Sequence, residues 1–162
     1  MKHLVTGLLI ALLCFCWGQE PSYQIVTSAE QISQQIALAT EELLLATDLL
    51  RSEVIAEALR EALVVRGVAV YLLIPETHAE ENASYVASLA YAGANVRLSE
   101  IGGSFLVIDR RITIAGELIG SLNTEASQTP TILVDDETYA AQFIGGFIQG
   151  FEAATPYTPL GE

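Results

Sequence analysis

Lysine is almost missing from this chain. Lys2 is the only one in 162 residues, and the other fixed cations are Arg51, Arg60, Arg66, Arg97, Arg110 and Arg111. Against them stand 20 aspartates and glutamates, for a formal net charge of −13. A chain this acidic repels phosphate backbones and anionic lipid surfaces at long range, so no nucleic-acid partner is expected. Cysteine is confined to Cys14 and Cys16, and histidine to His3 and His78. The apolar run Leu4 to Phe15 is too short to span a bilayer comfortably. No internal repeat and no long low-complexity segment is present.

What is there begins with a secretory pattern. Lys2 and His3 precede the apolar run, and Cys16-Trp17-Gly18 sets small residues at the two positions a signal peptidase reads. Residues 1–18 therefore read as a cleaved signal peptide, which implies a secreted or periplasmic protein with no stable membrane insertion afterwards. Leu13 and Phe15 precede the cysteines where a lipid-modified cysteine normally follows a small residue, so lipoprotein anchoring is the weaker reading. Cleavage removes both cysteines and the lysine. The mature chain then has no disulfide and no thiol nucleophile, and six arginines against 20 acids leave a net charge of −14.

The remainder alternates helix and strand. Ser28-Ala29-Glu30-Gln31 has capping-box spacing and opens a helix with Ile32, Ile36 and Ala39 on one face. Glu42 to Thr47 reads as a buried strand. Ser52 caps a helix carrying Val54, Ile55, Ala58, Leu59, Ala62 and Leu63 at helical spacing, ended by Gly67. Val68 to Ile74 is a strongly apolar strand stopped by Pro75. Thr77-His78-Ala79-Glu80 is a second capping box, predicting a helix through Tyr85, Leu89 and Ala92 to Gly93. Asn95 to Leu98 is a short strand, and Ser104 to Ile108 with Ile112 to Ala115 form a hairpin around Asp109-Arg110-Arg111. Glu117 to Pro130 reads as mostly loop. Thr131 to Val134 is a strand, and Asp135 or Asp136 caps a last helix through Phe143, Phe147 and Phe151. Gly145, Gly146 and Gly150 either weaken that helix or mark a face packed close to the sheet. The alternation argues for an α/β layer architecture with a mixed sheet.

One segment gives this order a more specific meaning. Gly102-Gly103-Ser104-Phe105-Leu106-Val107-Ile108-Asp109 resembles the H-x-K-x4-D signature of the phospholipase D superfamily, with Gly102 at the histidine position and Ser104 at the lysine position. Arg66-Gly67-Val68, the segment Glu81-Asn82 to Leu98, and Gly120-Ser121-Leu122-Asn123 resemble flanking parts of the same domain over roughly residues 29–152. The last of these is similar to the family's G-S-x-N segment, about four residues further from the aspartate than usual. The resemblance implies a mixed β-sheet flanked by helices on both faces. It divides the chain into the signal peptide at 1–18, an N-terminal segment at 19–27, a phospholipase D-like domain at 28–154 and a flexible tail at 155–162.

Members with intact motifs use two histidines from two repeats or two subunits, one attacking phosphorus while the other protonates the leaving oxygen. Lysines and the G-S-x-N groups hold the phosphoryl oxygens. Such chemistry needs an imidazole titrating near neutrality and cationic or N–H donors for the developing charge. Gly102 supplies neither nucleophile nor acid, and Ser104 carries no charge. The resemblance thus implies a non-catalytic binding or assembly module, as a homodimer or as a heteromer with another phospholipase D-like chain. The alternative is an active phosphodiesterase with a rearranged site, or an acidic hydrolase site around Glu76, Glu81 and Asp109.

The remaining candidates are few. Asp109 sits at a hairpin corner, where an aspartate can cap the turn through its own side chain. Ser104, Ser121 and Asn123 are placed to line a shallow polar pocket at the motif. His78 follows a strand's carboxyl end, where α/β proteins tend to place sites. Glu76, Glu80 and Glu81 surround it without regular ligand spacing, and acids in a helix's first turn are favoured by the dipole anyway. No metal and no cofactor is implied.

Overall fold

The computed structural model describes residues 22–80, 83–100, 102–120 and 130–159. Eight strands among them form one mixed sheet. At its centre β2 (Glu42–Thr47), β3 (Ala69–Pro75) and β4 (Asn95–Ser99) run parallel. Parallel strands need crossovers, supplied here by α2 (Glu53–Val64) and α3 (Ala83–Tyr91). β5 (Ser104–Ile108) turns back antiparallel beside β2, and β6 (Ile112–Ala115), β7 (Thr131–Asp135) and β1 (Tyr23–Val26) follow outward, each antiparallel to the last.

Strand alternation divides the core in two. Leu43, Leu45, Val70, Leu72, Ile74, Leu106 and Ile108 point to one face, under α1 (Ala29–Ile36), α2 and α3. Leu44, Ala46, Leu73 and Val107 point to the other, where α4 (Glu137–Ala153) covers them with Ala140 and Phe147. Helices thus flank both faces. The middle strands are buried on both sides, which is why β2 and β3 read as continuous apolar runs.

Helix starts follow their caps. Ser28 accepts from the Gln31 N–H, and the Gln31 side chain reaches back to the Thr27 N–H at 2.7 Å. Ser52 caps α2, and Asp136 caps α4 by accepting from the Tyr139 N–H. Asp135 instead pairs with Arg111. Val54, expected on the buried stripe of α2, is exposed, and Ala56 takes its place.

Three segments differ from their sequence reading. Thr77 does not cap a long helix: Glu76–His78 make a 3-10 turn, residues 79 and 80 continue as a turn, and α3 is Ala83–Tyr91. Residues 19–27, read as lying outside the domain, contribute β1, whose pairing with β7 no local pattern announces. The tail, read as frayed from Thr155, first lays Thr155 and Pro156 antiparallel against β4 as β8 (Thr155–Pro156).

Arg97 anchors that end: its Nη1 donates to the Phe151 and Ala154 carbonyls, and its guanidinium lies 4.7 Å from the Phe151 ring centroid. Arg66 does the same for α1, donating to the carbonyls of Ile36, Ala37 and Ala39. No helix among the described residues is long and apolar enough to cross a membrane.

Candidate functional site

A cleft of about 670 Å³ opens on the α4 side of the sheet, at the carboxyl ends of the parallel strands. That is where open α/β sheets commonly bind ligands, because strand ends and their loops leave a crevice no helix fills. Ala46 of β2, Leu73 of β3 and Phe105 of β5 line it from the sheet, with Leu98 and Ser99 from the end of β4. Phe143, Phe147, Gly146 and Gly150 of α4 form the facing wall. Phe105 meets Phe143 and Phe147 edge-on, with centroids 5.1 and 6.3 Å apart, so the rings form a connected apolar surface.

The polar lining is acidic or neutral. Glu76 follows β3, Glu100 follows β4, and Gln142 and Gln149 project from α4. Among the described residues, no arginine, lysine or histidine lines the cleft.

Gly102, which opens the segment that resembles the motif, lines the cleft, and its neighbourhood explains why glycine fits there. The Asp48 carboxylate accepts a hydrogen bond from the Gly103 N–H at 3.0 Å. A Cβ built on Gly102 falls 2.1 Å from the same Asp48 oxygen. Any side chain at 102 has to displace that carboxylate. Pro75 closes the other side at 3.4 Å.

Ser104 is half-buried in β5, paired in register with Thr47. Because Phe105 lines the cleft, alternation turns Ser104 toward the opposite face. His78 ends the 3-10 turn and is not part of the lining. Ser121 and Asn123 lie outside the described residues, as does Glu81. Gly120 is described, and a Cβ there would sit 2.7 Å from the Leu49 carbonyl oxygen and 3.0 Å from Thr47 Oγ1. The Gly120 backbone therefore packs against the carboxyl end of β2, beside the motif strand.

Asp109 does not cap its own turn. Its carboxylate reaches the start of β2, where Oδ2 accepts from Thr40 N at 2.8 Å and Thr40 Oγ1 at 2.9 Å. Its Oδ1 accepts from the Glu41 and Glu42 N–H groups at 2.9 and 3.0 Å. Partial burial alone raises its pKa, but the hydrogen bonds from Glu41, Thr40 and Glu42 together outweigh that and hold the carboxyl below its ordinary value. Asp109 and Arg110 both adopt positive φ, 48° and 58°, as the two central residues of a type I′ turn do.

The sequence reading passed over the cleft's main walls. Phe143 and Phe147 of the last helix and Phe105 of the motif-like strand are half-buried or buried core residues whose exposed edges also line the opening. Asp48 had a signal, an acid directly after the buried run Glu42 to Thr47, but nothing in the local pattern ties it to residues 102 and 103. Among the described residues, no three His, Cys, Asp or Glu side chains are grouped so as to hold a metal ion.

The architecture has solved counterparts. Nuc from Salmonella typhimurium, a phospholipase D family member, superposes with a TM-score of 0.69 over 85% of this chain and 99% of that one, at 18% identity. NucT from Helicobacter pylori gives a TM-score of 0.62 over the same 85% and 99%, at 16% identity. TrmBL2, an archaeal chromatin protein described as showing a novel mode of DNA binding, gives 0.61 at 19% identity, covering 92% of this chain and 59% of its own. This chain has the phospholipase D-like fold. No protein-family model matches its sequence, and no curated protein does either.

Proposed function

We propose that the chain is an exported, non-catalytic domain of phospholipase D-like fold that serves as a binding or assembly module. One observation supports the reading: at Gly102, which the sequence resemblance aligns with the motif histidine, the Asp48 carboxylate fills the space a side chain would enter. A cleft with two carboxylates and no cation among its described lining residues offers a phosphodiester no imidazole and no counter-charge. Removing a covalent nucleophile costs on the order of 10⁶ in rate in other nucleophilic enzymes. A DNA-binding role like that described for TrmBL2 is opposed by the net charge of −13. Export rests on the pattern of residues 1–18. Assembly, as a homodimer or with a second phospholipase D-like chain, rests on the fold alone.

The test is a panel of activated phosphodiesters, with and without divalent metals. The expected result is no turnover above the buffer blank. Turnover abolished by His78→Ala would place a working site in this chain and overturn the reading. Size measurement by light scattering, together with recovery of co-purifying chains from the native envelope fraction, tests the assembly role.

A further inference from the structure

The cleft that holds the motif glycine has its own ligand chemistry. Its volume of about 670 Å³ is that of a small-molecule site. Phe105, Phe143, Phe147 and Leu73 give it an apolar, aromatic interior, while Glu76 and Glu100 are exposed at its edge. Neither glutamate has an ion-pair partner among the described residues. Arg97, tied to the Phe151 and Ala154 carbonyls, does not line the cleft. The Asp48 carboxylate directly behind Gly102 adds negative charge on the same side.

We infer that the cleft binds a small organic cation with an aromatic or apolar body, of the aryl-alkylamine class. The body lies in the opening against the exposed edges of Phe105, Phe143 and Phe147, beside Leu73, where an aromatic guest is favoured. The ammonium stays at the opening beside Glu76 and Glu100, partly solvated. An anion of the same shape meets the Glu76 and Glu100 carboxylates and no cation among the described lining residues. The inference deepens the binding-module reading and rests on it.

Two glycines of α4 make the test clean. A Cβ on Gly146 or on Gly145 meets nothing within 4 Å, so a side chain can start at either position without a clash. Gly146 lines the cleft and Gly145 does not. The purified protein is titrated calorimetrically with 2-(2-naphthyl)ethylamine, the neutral 2-(2-naphthyl)ethanol and the anionic 2-naphthylacetate. The amine is expected to bind best and the acid worst. Gly146→Leu is expected to abolish binding and Gly145→Leu to keep it. Glu76→Gln and Glu100→Gln should each weaken the amine about two- to fivefold and leave the alcohol unchanged. Binding of the acid or alcohol as tight as the amine overturns the inference. So does amine binding that survives Gly146→Leu, or no binding of any probe. Turnover in the phosphodiester panel is a separate outcome: it removes the non-catalytic reading whatever the amine does.

Discussion

Asp109 shows how one carboxylate can tie a hairpin corner to a distant strand. Four donors from Thr40, Glu41 and Glu42 converge on one carboxylate, locking the hairpin corner onto the entrance of the central strand. Asp109→Ala is expected to cost about 2 kcal/mol in urea denaturation at pH 7, since backbone donors at the start of β2 lose a charged acceptor. The folded pKa is depressed, so this contribution is fully present above the unfolded value of about 3.9 and is lost as pH falls through the folded value. The gap between wild type and Asp109→Ala should therefore close below about pH 4, and a gap constant with pH would show that the charge is irrelevant. Thr113 offers the opposite case: its Oγ1 is buried with no hydrogen-bond partner among the described residues. Thr113→Val should stabilise by about 1 kcal/mol in the same assay, unless a bound water satisfies the hydroxyl. The motif made Asp109 legible in the sequence, and the corner turn as well. Its partners were not, because Thr40 lies 69 positions away and no local spacing encodes such a pair.

The last helix separates two uses of glycine that the sequence reading could not tell apart. Gly150 packs close to the sheet, its would-be Cβ 3.1 Å from Leu73 Cδ2, whereas Gly145 and Gly146 face open space. Gly146→Ala should therefore raise stability by about 1 kcal/mol through helix propensity, and Gly150→Ala should gain less. Thermal melts of the two variants decide this, and equal gains would mean that Leu73 yields freely. Gly116, after β6, is different again: its φ is 142°, and a Cβ there would stand 2.6 Å from Thr131 Cα. Gly116→Ala should cost more than 2 kcal/mol, roughly the strain of a forbidden backbone plus the clash. Elements with their own caps and periodicity were readable, as β2, α2 and α4 show. β1 and β8 were not, because short edge strands exist only by pairing with β7 and β4.

The molecule taken together is an acidic shell around two apolar layers, and that shell makes its own demand. The alternation of helix and strand revealed the α/β class, but the order β1-β7-β6-β5-β2-β3-β4-β8 follows from long-range pairing that composition does not carry. The position of the cleft was equally hidden, since it arises where α4 crosses the carboxyl ends of strands far apart in sequence. Charge, by contrast, was fully legible. The surface pairs Arg60–Glu57, Arg110–Glu42 and Arg111–Asp135 leave their arginine side chains half exposed or more, so each contributes little and salt weakens it. Repulsion among 20 acids facing seven basic residues then outweighs those pairs, and salt screens the repulsion too. Raising sodium chloride from about 0.01 to 1 M shortens the screening length from about 30 to 3 Å, and stability should rise by about 1 kcal/mol, or roughly 4 °C in melting temperature. The same field predicts no retention of the protein on immobilised duplex DNA even at the lowest salt, where cationic surfaces bind best. A melting temperature that falls with salt would mean that the arginine pairs outweigh the net repulsion. Retention on DNA would mean that the six arginines beyond residue 50 gather into a basic surface despite the acids around them.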